Sequence, residues 1–144
     1  MKNLDYHCSI TVAVTAREAE KKINQVSAWW AKNMDGKAEK LDDQFTVRFG
    51  ETFVKFRISE YIPGKKVVWL VTDCLLHWQN DKTEWTNTQA IWELSENKGT
   101  TQINFTHQGL VPEVECYSNC VKGWDQHIKG SLHTFLAGGM GQPS

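Results

Sequence analysis

Two pairs of side chains in the sequence have the types and spacing that could bind a metal ion. Cys116 and Cys120, in "ECYSNCVKGW", are four residues apart, and Cys74 precedes His77 by three. On a helix, a spacing of four places both sulfurs on one face, as a zinc ion requires. On a strand, residues three apart point to opposite faces, so Cys74 and His77 would need a bulge to converge. We therefore predict no metal site and interpret the cysteines as small buried side chains.

Few polar side chains suit acid–base chemistry. His107 ends the inward face of a predicted strand, where it could approach a cysteine or a ligand, and His127 could approach the same cysteines from a helix. Asp73 lies in an apolar stretch that would raise the pKa of a carboxyl group, although it could equally cap a turn. No phosphate loop, nucleophile elbow or dinucleotide fingerprint is present. We predict no cofactor and assign no catalytic residue.

Bulk properties limit the classes of function. The 144 residues carry a formal net charge of -1, so the chain lacks the positive field of a nucleic-acid-binding protein. No stretch has the apolar length of a membrane span, and the first residues lack the core of a secretion signal. We expect one cytoplasmic domain over residues 1–144, with all four cysteines reduced.

Large aromatic rings are the unusual component, with seven tryptophans, six phenylalanines and three tyrosines. Rings of this size fill cores, and they also line ligand pockets. Strand alternation and helical spacing predict that seven large rings and one small cysteine face inward from sheet and helix: Phe49, Phe56, Trp69, Trp92, Phe105, Tyr117, Cys120 and Trp124. These walls would either pack solidly or leave an apolar chamber.

Hydrophobic periodicity predicts the elements that carry these rings. Thr15 and Glu18 form a capping box that opens one or two helices ending near residue 33. A long amphipathic helix is predicted from residue 111 to about 137, followed by a flexible tail over 138–144. Alternating runs predict strands at 6–15, 45–49, 54–58, 67–76, 88–94 and 100–109, with a long loop at 77–87. The sequence thus predicts an α+β domain whose curved antiparallel sheet buries its apolar face on the last helix.

Several segments resemble one known family. They are "RFGETFVKFRISEYIPGKKVVWLVTD" (48–73), "TEW" (83–85), "FTHQGL" (105–110), "ECYSNCVKGW" (115–124) and "SLHTFLAGGMG" (131–141). They are similar to the heat-shock-protein ATPase activator-like family of the START-related, birch-allergen-like (SRPBCC) superfamily. The resemblance implies a helix-grip fold, with two short helices after the first strand and a deep apolar cavity. It implies binding of lipids, sterols, polyketides or hormones in some members and catalysis in others, and it transfers no catalytic motif.

The leading hypothesis is a binding protein for a small apolar ligand, aromatic or lipid-like, held between sheet and helix. Its predicted ligand-binding residues are the inward set, with His107 as an orienting polar contact: Phe49, Phe56, Trp69, Trp92, Phe105, His107, Tyr117, Cys120 and Trp124. A cyclase-, dehydratase- or hydrolase-like enzyme that uses His107 or Asp73 stays an alternative. A third hypothesis is an interaction module that contacts a chaperone or forms a homodimer, with Trp29, Trp30 or Trp78 as exposed anchors.

Overall fold

The computed structural model describes residues 5–144, which form one antiparallel sheet with helices packed against it. The strands are β1 (Tyr6–Val12), β2 (Asn33–Gly36), β3 (Gln44–Phe49), β4 (Thr52–Ile62), β5 (Lys66–Leu75), β6 (Gln89–Asn97) and β7 (Thr100–Gln108). Their order across the sheet is β1-β7-β6-β5-β4-β3-β2. The helices are α1 (Ala16–Ile23), α2 (Val26–Trp29), α3 (Tyr117–Trp124) and α4 (His133–Leu136), with a π-helical segment (Asp125–Leu132) between the last two. This arrangement confirms the predicted α+β class and the curved sheet.

Alternation along the strands decides which face of the sheet is buried. In β7 the predicted inward residues Thr101, Ile103, Phe105 and His107 are all buried, while the residues between them are more exposed. In β1, Cys8 lies opposite Phe105, so the buried faces of the two strands coincide. Side chains alternate with period two, so this register puts the apolar side of every long strand against the helices. Irregularities in the β4–β5 pairing beside Phe56 and Ile58 add bending, as bulges do.

The first helices begin as the capping signal predicts. The Thr15 hydroxyl accepts a hydrogen bond from the Glu18 backbone N–H at 3.2 Å, which satisfies one of the free donors of the first turn. The helical region then divides into α1 and α2, and the prediction of helix up to residue 33 was too long. Asn33–Gly36 instead forms an edge strand, β2, paired with β3. This short polar strand has no apolar alternation, so hydrophobic pattern could not reveal it.

The C-terminal helical region starts later than predicted. Residues 111–116 form turns, and regular helix begins at Tyr117 rather than near Pro112. The Glu84 carboxylate accepts hydrogen bonds from the backbone N–H groups of Glu115 and Cys116, at 2.8 and 3.1 Å. A side chain from a distant loop therefore takes the free donors that precede the helix. Local sequence does not contain this contact, so the periodic pattern overestimated the helix length.

Six of the seven tryptophans belong to one continuous network of ring contacts in the core. Trp30 is central: its ring lies 6.0 Å from Trp29, 6.3 Å from Trp69 and 4.9 Å from Trp124, measured between centroids. The prediction that Trp29 or Trp30 serves as an exposed anchor is wrong, because both are buried. Trp30 follows the end of α2 in a non-ideal helical conformation, which lets two adjacent rings enter the same core.

No helix within residues 5–144 combines the length and apolar character needed to cross a membrane.

Candidate functional site

An apolar pocket of about 220 Å³ lies where the C-terminal helix meets one end of the sheet. Its floor comes from the end of β3, the start of β4 and Leu76, which directly follows β5; one side comes from α3 and another from the loop over residues 77–87. The lining residues are Trp30, Phe49, Thr52, Val54, Leu76, Trp78, Trp85, Asn119, Cys120, Gly123, Trp124, His127 and Ser144. The wall is mainly aromatic and aliphatic, with a few polar groups, as is usual for small-molecule sites.

Three indole rings form the inner wall of the pocket. Trp124 packs parallel to Trp85, with an interplanar angle of 10° and a centroid distance of 5.8 Å. Trp30 contacts Trp124 on its pocket side and Phe56 on its core side, at 5.7 Å from the latter ring. Trp30 therefore separates the pocket from the solid aromatic core. A ligand would meet the edges and faces of rings already held by their neighbours.

The loop over residues 77–87 is fastened to the start of α3 by a reciprocal pair of glutamates. Glu84 in the loop accepts the helix-side hydrogen bonds described above, and its carboxylate also accepts one from Gln79 Nε2 at 3.0 Å. In return, the Glu115 carboxylate accepts from the backbone N–H groups of Asn80 and Asp81, at 2.9 and 3.0 Å. Charge-assisted hydrogen bonds in both directions hold the loop, and with it Trp78 and Trp85, against the pocket.

Polar groups lie at the helix side of the pocket. His127 Nδ1 is 2.9 Å from the carbonyl oxygen of Gly123, and its Nε2 is 2.8 Å from the Ser144 hydroxyl. The Ser144 backbone N–H donates to the carbonyl oxygen of Trp30 at 2.9 Å, and its own carbonyl oxygen accepts from Lys32 N–H at 2.9 Å. Residues 138–144, for which we expected a flexible tail, thus return to the end of α2, and Ser144 completes the pocket rim.

His107 lies directly behind Trp124 and does not line the pocket. Its Nδ1 accepts a hydrogen bond from Trp124 Nε1 at 3.0 Å, and its Nε2 is 2.8 Å from Thr88 Oγ1. Burial lowers the pKa of His107 to about 3, because the charged imidazolium would lose its hydration. The imidazole is therefore neutral at physiological pH and fixes the indole of Trp124.

The nine predicted ligand-binding residues occupy three different positions. Phe49, Cys120 and Trp124 line the pocket. Tyr117 is half-buried at the start of α3 and packs against the core. The other five are fully buried behind the pocket wall: Phe56, Trp69, Trp92, Phe105 and His107. Alternation along the strands identifies the buried side chains correctly. The aromatic rings, however, fill most of the space that the resemblance assigns to a deep cavity.

Sequence reasoning left several pocket residues without a role in ligand binding. The sequence predicts Trp30 and Trp78 as anchors for a partner and places Trp85 in the long loop at 77–87, whereas all three line the pocket. Their signal was the occurrence of tryptophan in segments otherwise typical of loops, since large rings rarely occur there without packing on something. Gly123 had a second signal: it interrupts an amphipathic helix beside Trp124, where a glycine leaves open space.

The cysteines correct the expectation that all four are reduced. Cys116 and Cys120 are joined by a disulfide, whereas Cys8 and Cys74 are buried free thiols. The helical spacing of four brings the Cα atoms of the pair to 5.6 Å, within the usual range for a disulfide. His77, the fourth candidate metal ligand, has its Nε2 atom 2.7 Å from the Glu51 carboxylate. Among residues 5–144, no three side chains of the metal-binding types converge.

Solved structures with the same fold come from several bacteria. The solution structure of the Aha1 dimer from Colwellia psychrerythraea is 18% identical, with a TM-score of 0.76, over 95% of this chain and 98% of that chain. A crystal structure of a Staphylococcus saprophyticus protein is 12% identical, with a TM-score of 0.70, over 97% of both chains. DynU16, from the dynemicin biosynthetic locus, is 13% identical with a TM-score of 0.68, and this chain spans 49% of it.

These likenesses bear on fold and leave the family open. No protein-family model matches the chain, and no curated protein sequence matches it significantly. At such low identity, structural similarity carries the architecture but neither ligand nor partner. The sheet order, the two short helices after β1 and the C-terminal helix over the sheet agree with the architecture implied by the sequence resemblance. The chain has the helix-grip fold.

Proposed function

We propose that the protein binds a small, largely apolar ligand, aromatic or lipid-like, in the pocket between the C-terminal helix and the sheet. The observation that carries this proposal is the apolar pocket of about 220 Å³ walled by Trp30, Trp85 and Trp124. A dry apolar cavity of about 150 Å³ is enough to bind benzene. The pocket is therefore large enough for one substituted ring or a short acyl chain.

The chemistry of the lining sets the expected ligand. Burying apolar surface contributes roughly 25 cal/mol per Å², so contact with the tryptophan rings would supply most of the affinity. Asn119 lies on the helix side of the pocket, where its amide can offer hydrogen bonds to one polar substituent, whereas both ring nitrogens of His127 are already paired. We therefore favour a ligand with an apolar ring or chain and a single polar group at one end.

Gly123 allows a direct test of the pocket. Gly123 lines the pocket, and a Cβ atom there would meet nothing within 4 Å, so we expect a leucine side chain at this position to occupy part of the pocket's open space. Anilinonaphthalene sulfonate is a fluorescent probe with an apolar ring system. We expect Gly123→Leu to weaken its binding by at least about tenfold, since the leucine side chain would occupy the space that the probe's rings need. Fluorescence titration of the purified protein measures this affinity.

Gly130 provides the matched control. It lies in the π-helical segment, also has open space at its Cβ position, and does not line the pocket. Gly130→Leu should therefore leave probe affinity unchanged, with equal stability of both variants checked by urea unfolding. Equal binding by the wild type and by Gly123→Leu would show that the probe binds elsewhere and would remove the pocket from the proposal.

A second candidate function is a contact with another protein chain, including a second copy of this one. One feature favours it: the Trp78 side chain at the pocket mouth is 50% exposed. Half-exposed tryptophans are frequent anchors in protein interfaces. The Colwellia psychrerythraea structure is described as a dimer. A cavity-based enzyme has less support, because neither His107 nor Asp73 lines the pocket.

A further inference from the structure

The Cys116–Cys120 disulfide is placed asymmetrically with respect to the pocket. Cys116 directly precedes α3 and Cys120 lies in its first turn, but Cys120 lines the pocket and Cys116 does not. We propose that this disulfide is a thiol–disulfide exchange site, at which a small apolar or aromatic thiol that enters the pocket attacks Cys120 Sγ. This proposal deepens the proposed function, because it uses the same pocket to select the thiol.

The surroundings of Cys116 suit it to the role of leaving group. Trp85 Nε1 donates a hydrogen bond to Cys116 Sγ at 3.2 Å, and the Cys116 side chain is 1% exposed. A sulfur that carries negative charge is stabilised by such a donor, so the bond to Cys116 can break toward Trp85. The wall of the pocket thus presents one sulfur to the ligand and keeps the other against a fixed N–H group.

Cys116 is also placed to reverse the first step. Its Cα atom lies 5.6 Å from that of Cys120, so its sulfur stays within reach of Cys120 Sγ after the bond between them breaks. Cys116 should therefore attack a mixed disulfide at Cys120 rapidly, and the internal disulfide should re-form unless a second ligand thiol intervenes.

The exchange balances without any further reactant. In the first step the ligand thiolate forms a bond with Cys120 Sγ, the bond between the two cysteine sulfurs breaks, and its electron pair leaves on Cys116 Sγ, which takes a proton from water. In the second step another ligand thiolate attacks the ligand sulfur and expels Cys120 as a thiolate, which is also protonated. Two ligand thiols are oxidised to one ligand disulfide, and the protein disulfide is reduced to two thiols.

The remaining cysteines provide an internal comparison. Cys8 and Cys74 are buried free thiols, and neither lines the pocket. Burial raises the pKa of the Cys8 thiol, which lowers the fraction present as the reactive thiolate. The Cys74 sulfur lies 3.5 Å from Thr86 Oγ1, beneath the loop. Both should stay unmodified in the folded protein while the pocket cysteine reacts.

The test compares benzenethiol with reduced glutathione as openers of the disulfide. Samples of the wild-type protein are quenched with acid, alkylated and analysed by peptide mass spectrometry, and a short solvent-exposed peptide disulfide gives the intrinsic ratio of the two rates. We expect the protein's preference for benzenethiol to exceed that intrinsic ratio by at least about tenfold, because the ring binds in the pocket. Gly123→Leu should abolish the excess, and Gly130→Leu should retain it.

Two variants that each lack one cysteine of the disulfide identify the attacked sulfur. In Cys116→Ser, diphenyl disulfide should leave a stable phenylthio adduct on Cys120, since the resolving thiol is missing. In Cys120→Ser the adduct on Cys116 should form at least about tenfold more slowly, because Cys116 is shielded from the pocket. Equal rates in the two variants, or a protein preference no greater than that of the peptide, would overturn the proposal.

The outcome is separable from that of the proposed function. If the anilinonaphthalene probe binds in the Gly123-dependent way while the thiol preference matches the peptide, the pocket binds apolar ligands and the exchange site is refuted. If Cys120 shows the excess reactivity while the anilinonaphthalene probe does not bind, the general binding function fails and the exchange site remains.

Discussion

Acidification should destabilise the protein through His107 in a way that a single variant can isolate. Burial lowers the pKa of His107 from 6.5 to about 3. Since the folded pKa lies below the unfolded one, the unfolded chain binds more protons between these values, and the free energy of unfolding falls as the pH falls from 6.5 toward 3. A pH of about 5 is about 1.5 pH units below the pKa of the unfolded state. Each unit lowers the free energy of unfolding by about 1.4 kcal/mol, so the protein should lose about 2 kcal/mol of stability at that pH.

The measurement is the difference between wild type and His107→Gln, by urea unfolding at about pH 7 and about pH 5. Glutamine does not titrate, and its amide can still accept from Trp124 Nε1 and donate to Thr88 Oγ1. The variant should lose about 2 kcal/mol less than the wild type over this interval, whatever its stability at neutral pH. Parallel pH profiles for wild type and His107→Gln would refute the view that a buried neutral imidazole supports Trp124.

Two further predictions concern the loop over residues 77–87. Glu84→Gln should lower the free energy of unfolding by about 1 to 2 kcal/mol, because the charged acceptor of the Cys116 N–H is lost. Hydrogen exchange at the Cys116 amide should become faster for the same reason. The control Glu113→Gln, at an exposed neighbouring position, should change neither quantity. If Trp78 anchors a homodimer, Trp78→Ser should raise the dissociation constant measured by sedimentation at least about tenfold, whereas a wild type that stays monomeric at every concentration would eliminate that interface.

The sequence predicts the sheet and its buried face better than it predicts the pocket. Alternation identifies the inward residues of β7, and the Thr15–Glu18 signal identifies the start of α1, since both follow from local periodicity and capping. The late start of α3 depends on Glu84, a residue more than thirty positions earlier, and no local pattern contains that contact. The π-helical segment between α3 and α4 was missed for a related reason, because its residues satisfy an ordinary helical pattern.

The candidate site shows the same division. Phe49, Cys120 and Trp124 were assigned to the ligand site from their inward position, and they line the pocket. Whether an inward ring lines a cavity or fills the core depends on how neighbouring rings pack together, and alternation along a strand does not predict that packing. Trp30 decides this here, because its side chain occupies the space between the pocket and Trp69. Its position follows from the end of α2, a tertiary feature of the fold.

The continuous contact of six indoles also makes the protein's ultraviolet properties collective. Excitation absorbed by Trp92 can pass through Trp69 and Trp30 to Trp124, since consecutive ring centroids along this path are 5.3, 6.3 and 4.9 Å apart. Energy transfer between rings this close is fast compared with emission. A ligand that quenches Trp124 alone should therefore decrease most of the intrinsic tryptophan fluorescence. The half-exposed Trp78 should supply the remaining, red-shifted emission. The aromatic core leaves little room for a large ligand, but its combined fluorescence would report the binding of a small one beside Trp124.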